Sequence, residues 1–191
     1  MLYRIRNNSG MLSFFTADVY GSDNKLIYTV SEETGSLCRR ILRLTKFRTA
    51  LSLKIIIRDI TSGRFYFLTR DAGLFSYSYL FKGHDGRTLF SFEQEKVNGR
   101  SFFKFKRSWE IKDGNGRRTA RYESGNPFIL GPQEGRVIGI SGEEISHFRW
   151  EKPSFFRTPR ECLVFINRTE GPWEMLSLIS AIIKALHFEY R

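Results

Sequence analysis

Seven cations, Arg39, Arg40, Arg43, Lys46, Arg48, Lys54 and Arg58, fall in one stretch, and no acidic residue occurs from Ser36 to Arg58. Chemistry of this kind holds anionic surfaces. Near a charged leaflet each Lys or Arg is worth about 1 kcal/mol, so several acting together give reversible docking. Leu37, Ile41 and Leu44 recur at helical spacing among these charges, which reads as a short amphipathic helix; the same residues also read as a solvated connector between strands. A second cluster comprises Lys96, Arg100, Lys104, Lys106, Arg107, Lys112, Arg117, Arg118 and Arg121, with Glu110 and Asp113 as the acids inside its denser half. The candidate ligands for an anionic headgroup are therefore Arg39, Arg40, Arg43, Lys46, Arg48, Lys104, Lys106, Arg117 and Arg118.

Constellations for catalysis are thin. His84 stands in a Gly-His-Asp-Gly turn, His147 in an expected strand and His187 near the chain end, and no pair has metal-ligand spacing. Cys38 and Cys162 belong to no Cys-x-x-Cys and read as reduced thiols of a cytoplasmic protein. Gly139-Ile140-Ser141-Gly142 lacks the full spacing of a nucleophile elbow, and Gly114-Asn115-Gly116-Arg117-Arg118-Thr119 fails the dinucleotide fingerprint at its last glycine. Asp113 and Asn115 lack the further acidic ligands of a calcium loop, so a hairpin tip explains them. No catalytic residue, metal or cofactor is expected, and the chain reads as a non-enzymatic binding module.

The elements that must position the cations are strands. Of 191 residues 41% are hydrophobic and 15% aromatic, including 18 Phe, a composition that suits pleated surfaces. Phe103, Phe105, Trp109 and Ile111 alternate with Lys104, Lys106, Ser108, Glu110 and Lys112, the period of a strand with one buried face. Phe75, Tyr77, Tyr79 and Phe81 repeat the theme. Asn98-Gly99, Asp85-Gly86, Asp113-Gly114, Asn115-Gly116, Ser62-Gly63 and Ser22-Asp23-Asn24 stand between such runs and supply the positive φ of hairpins. Counting runs gives about ten to twelve strands over residues 1–168, with one strand, turn, strand unit used repeatedly.

From Thr169-Glu170-Gly171-Pro172 onward the pattern changes to a helix over residues 172–190. Its polar residues between Met175 and Phe188 are Ser177, Ser180, Lys184 and His187, and they share no clean face. A helix apolar nearly all round must be buried on every side. Lipid is the weaker host, because the longest uncharged stretch, Met175 to Ile183, falls well short of the ~20 residues a bilayer needs. A barrel of twelve strands has a radius of roughly 12 Å and accommodates a helix of ~5 Å radius with one layer of side chains around it. The expected fold is mainly β: one domain over 1–191, a closed, mostly antiparallel barrel of about twelve strands wrapped around the hydrophobic C-terminal helix.

Repeated strand, Asp/Gly turn, strand units closed by a hydrophobic helix ending Ile182-Ile183-Lys184-Ala185-Leu186-His187-Phe188-Glu189-Tyr190 resemble the tubby C-terminal-like superfamily, which includes tubby domains, phospholipid scramblases and LURP-one-related proteins. The match lies in the order of elements, and the small LURP-one-like members are the nearest in kind. The resemblance implies a barrel around a central helix and a membrane-facing role, with phosphoinositides bound through Lys and Arg in tubby domains. The proline-rich extension and cysteine cluster of scramblases are not present. Charges at Arg4 and Arg6 interrupt the apolar run a secretory signal would need, so the expected place is cytoplasmic, peripheral at the membrane. The expected partners are anionic membrane lipids. The net charge of +11 attracts any polyphosphate, so the alternative is a nucleic-acid or acidic-protein binding module using the same basic surface without specificity.

Overall fold

The computed structural model describes residues 1–9, 14–33, 52–71, 78–94, 107–125, 133–151 and 161–189. These residues form twelve strands: β1 Leu2–Asn7, β2 Thr16–Tyr20, β3 Leu26–Glu32, β4 Leu53–Asp59, β5 Phe65–Arg70 and β6 Ser78–Lys82 in the first half. They continue as β7 Thr88–Gln94, β8 Arg107–Asp113, β9 Arg118–Ser124, β10 Gln133–Gly139, β11 Glu144–Trp150 and β12 Glu161–Ile166, followed by one helix, α1, Trp173–Glu189. Each strand pairs antiparallel with its neighbour in sequence, and β1 pairs with β12 (Leu2 opposite Phe165, Arg6 opposite Glu161), closing the barrel. The sheet thus has no free edge.

Alternation decides which residues face inward. Ile55 and Ile57 on β4, Tyr79 and Phe81 on β6, Phe90 and Phe92 on β7 and Trp109 and Ile111 on β8 are buried in one core cluster. The positions between them are outside. For the two runs singled out by their alternation, the strands begin at Ser78 and Arg107, and Phe75, Tyr77, Phe103 and Phe105 lie outside the described residues.

Even-numbered strands pass to odd ones through five turns of one design. In each, the first residue's N–H reaches the carbonyl of the residue that ends the turn, as in Gly83 to Arg87 (2.9 Å) and Asp113 to Arg117 (2.8 Å). The residue just before that one has positive φ: Asn24, Gly63, Gly86, Gly116 and Gly142. The Gly139-Ile140-Ser141-Gly142 stretch is the fifth of these turns. These turns define a tight-turn rim; the odd-to-even connections belong to the opposite rim, which carries Asn7, Glu33, Arg70, Gln94, Gly125 and Trp150.

One turn carboxylate shapes the pH response. Partial burial pushes Asp59 upward, but the Ser62 hydroxyl, the Ser62 and Thr61 N–H groups and the Arg64 charge outweigh it and hold the carboxyl below its ordinary value. A lowered folded-state pKa adds stability that is present above the unfolded value of ~4 and disappears as pH falls through the folded value. Asp59→Asn should therefore flatten the part of the Tm-against-pH curve that lies below about pH 4. Thermal melts of both proteins from neutral to acid pH check this.

The helix is swallowed. Residues 176–186 are all buried, in the same core cluster as the inward faces of the strands. It lies nearest β10, β11 and β12, where the wall presents Gly135, Val137, Ser146, Cys162 and Val164. Tyr79, Phe81, Phe90 and Phe92 fill the wider space opposite. A Cβ on Gly135 would sit 2.4 Å from Phe148 Cζ, so only glycine lets that ring lie against β10. The helix serines, which broke its apolar pattern, donate back to their own helix: Ser177 Oγ to Trp173 O (2.7 Å) and Ser180 Oγ to Leu176 O (2.9 Å). Trp150 Nε1 donates to Ala181 O at 3.2 Å, and Lys184 Nζ donates to Ser124 Oγ, pinning the helix to β11 and β9.

Ser146 Oγ is buried and makes no hydrogen bond among the described residues. An unmet hydroxyl in an apolar interior costs about 1–3 kcal/mol, part of which methyl replacement recovers. Ser146→Ala should leave stability unchanged or raise it by about 1 kcal/mol, as read by urea denaturation.

Candidate functional site

Arg117 and Arg118 sit at the β8–β9 turn, on the tight-turn rim. The Arg117 N–H donates to Asp113 Oδ1 (2.9 Å), and Arg118 Nε lies 3.5 Å from Glu110 Oε1. Glu110 also faces Lys112 (3.7 Å), which bonds Glu93 across the sheet at 2.6 Å. That second acid, with Glu110, raises the Lys112 pKa. Arg118 and its neighbours thus form an ion-pair ladder across β7, β8 and β9.

Arg39, Arg40, Arg43, Lys46, Arg48, Lys104 and Lys106 lie outside the described residues. Their points of attachment are nonetheless defined. Glu33 and Ser52 bracket the first group, and Gln94 and Arg107 bracket the second, all at the rim opposite the tight turns. β8 runs about 20 Å from that rim to the turn that carries Arg117. The second sequence cluster is therefore drawn out along a strand, with Arg117 and Arg118 at the far end from where Lys106 joins the barrel.

Charge divides between the two parts of the chain. The described residues hold 18 of the 31 Lys and Arg and 19 of the 20 Asp and Glu. The other 13 cations, with Glu95 as their lone acid, belong to stretches 34–51, 95–106 and 152–160 and to Arg191. The three stretches are all joined to the rim opposite the tight turns, toward which the C-terminal end of α1 also points.

The wall of β9 to β12 is by contrast self-neutralised. Glu123 accepts from Arg121 (2.6 Å) and from Arg136 (2.8 and 2.9 Å). His147 meets Glu144 at 3.0 Å and stacks on Phe165, with ring centroids 4.8 Å apart. A trough of about 540 Å³ runs between these groups, bounded by Glu123, Arg136, Glu144, His147 and Phe165. Its lining sets Glu123, Glu134 and Glu144 against Arg136 and Arg149, so it offers no anion a net attraction. His84 is exposed at a turn tip, and His187 occupies the last turns of α1. Burial pushes the Cys162 thiol well up, so it stays protonated and weakly nucleophilic; Cys38 lies outside the described residues. Among the described residues no group of three or more His, Cys, Asp or Glu could hold a metal ion, and no helix is long and apolar enough to cross a membrane.

Three inward-facing charges sit near the opposite rim, Glu32, Arg70 and Lys184, all nearly fully buried. Glu32 accepts the Phe15 N–H at 3.3 Å, and the Arg70 guanidinium lies 5.9 Å from the Tyr79 ring centroid. From the sequence, Lys184 stands out as a polar residue of the helix, but none of the three is a candidate site residue there. The signal was there, since each breaks an otherwise apolar inward series.

The described residues define a closed twelve-stranded antiparallel barrel with an internal helix, in which cations and acids nearly balance. The chain matches no family model, no curated protein and no solved structure.

Proposed function

We propose that this protein is a tubby-like, LURP-one-like binding module that docks on anionic phospholipid surfaces at the cytoplasmic face of a membrane. The observation that carries this reading is the charge division: a barrel whose described cations and acids nearly balance, with 13 further cations in stretches joined mainly to one rim. Such a distribution orients the molecule in the field of an anionic leaflet and concentrates attraction at one pole. The order of elements, twelve antiparallel strands and then an enclosed helix, supports the superfamily reading.

Co-sedimentation at physiological salt tests it. Binding to vesicles containing phosphatidylserine should exceed binding to pure phosphatidylcholine and should fall with added salt. Replacing Arg39, Arg40 and Arg43 together by Gln should weaken binding by about 100-fold, at ~1 kcal/mol per charge. Replacing Arg117 and Arg118 by Gln should change it little, because they sit on the other rim and Arg118 faces Glu110. Equal pelleting with both vesicle types removes the proposal. Displacement from vesicles by duplex DNA favours the polyphosphate alternative.

A further inference from the structure

A second surface lies on the outer wall of β4, β5 and β6. Phe65 and Phe67 face outward from β5, about 6.8 Å apart along the strand. Phe65 is 45% exposed and Phe67 is half-buried. Each ring has a cation directly opposite on the adjoining strand: Arg58 pairs in register with Phe65, and Lys82 pairs in register with Phe67. The Arg58 guanidinium lies 5.8 Å from the Phe65 centroid, and Lys54 Nζ lies 5.5 Å from that of Phe67.

This wall differs from the rest of the barrel in lacking counter-charge. Ile56 on β4, Thr69 on β5 and Ser78 and Leu80 on β6 complete its outward positions, and none is acidic. Lys54 meets Glu33 at the rim (2.9 Å), whereas Arg58 and Lys82 form no ion pair among the described residues. On β7 to β11, cation after cation has a carboxylate across the strand.

We infer that the β4–β6 wall is a binding platform for single-stranded nucleic acid, with bases on Phe65 and Phe67 and phosphates at Arg58 and Lys82. Two rings at i and i+2 offer successive stacking faces at a spacing an extended strand of nucleotides can follow. Cations on both flanking strands then lie where the backbone passes. The Ser78 hydroxyl, outward on β6, would supply a hydrogen bond at a base edge, whereas that of Thr69 is turned to the Leu80 carbonyl (3.5 Å). The rings lie among their cations along a strand, which suits a polymer laid on the sheet; apolar insertion into lipid calls for side chains that project past the charges. This reading is independent of vesicle docking, which uses other residues.

Fluorescence anisotropy with labelled dT15 tests it. The full-length protein should bind dT15 more tightly than a duplex of the same length. Phe65→Ala and Phe67→Ala should each weaken dT15 binding by about 5-fold or more while leaving duplex binding unchanged. Phe65→Leu, which keeps apolar bulk and the fold, should fail to restore it, and circular dichroism should show all variants folded. Arg58→Gln with Lys82→Gln should flatten the salt dependence, by about 0.7 in log–log slope for each phosphate no longer neutralised. Equal affinity of wild type and both alanine variants for dT15 overturns the proposal, since binding then rests on charge alone. Loss of phosphatidylserine vesicle binding by those variants, with dT15 binding intact, also overturns it and makes the wall a membrane face.

Discussion

A chain that stops at Thr169 should show no cooperative unfolding transition, although it retains all twelve strands. Leu176, Leu178, Ile179, Ile182, Ile183 and Leu186 are buried to 1% exposure or less. Burial of each such side chain is worth about 1.5–3 kcal/mol, so the six together match or exceed the ~5–15 kcal/mol by which domains of this size are stable. Without α1 the inward aromatic rings of β6, β7 and β8 would surround a space no other part of the barrel wall can fill. Far-ultraviolet circular dichroism should retain strand signal while the near-ultraviolet signal of the packed Trp and Tyr residues disappears, with strong binding of an apolar dye. A sharp melt from the truncated chain would mean that the strands do not depend on the helix.

Trp150→Ala should be the most damaging of single core substitutions. The indole is fully buried and ties β11 to α1 through its bond to the Ala181 carbonyl. Truncating a buried Trp costs about 3–5 kcal/mol, and for a chain of this length that lowers Tm by about 10 °C. Trp150→Phe separates the two contributions. It keeps most of the apolar volume and gives up the N–H donor, so its cost should be about 1–2 kcal/mol. Scanning calorimetry of both variants checks the ordering; an equal loss for both would place the effect in the hydrogen bond.

Much of the fold can be read from residue order alone, because the signals are local. Trp109 and Ile111 alternate with charged residues, Asp85-Gly86 and Asn115-Gly116 dictate turns, and a helix without a polar face has to be enclosed. The twelve strands, the antiparallel closure and the helix from Trp173 all follow those signals. The candidate sites were harder, because they depend on register. Lys112 and Arg118 read as free positive charge until the pairing of β7, β8 and β9 brings Glu93 and Glu110 beside them. The β4–β6 wall is concealed differently. Lys54-Ile55-Ile56-Ile57-Arg58 is apolar without interruption between its cations, and Phe65-Tyr66-Phe67 is aromatic at three successive positions. Only the pleat reveals that Ile56, Phe65 and Phe67 point outward while Ile55, Ile57 and Leu68 are core. Glu32, Arg70 and Lys184 each interrupt an apolar inward series, a signal that becomes burial only once the strand faces and the enclosure of the helix are known.

The enclosed helix follows every strand in the chain, and this imposes an order on biosynthesis. Hairpins such as β4–β5 and β8–β9 join neighbouring residues and can pair while the ribosome is still extending the chain. The seam between β1 and β12, and the plug that fills the lumen, must wait for β12 and α1 to emerge. Until then the nascent sheet curls with its Phe and Trp rings unburied and with two open edges, one at each end of the meander. The interval between the release of β11 and the arrival of α1 is when this protein is most exposed to aggregation and most in need of a chaperone.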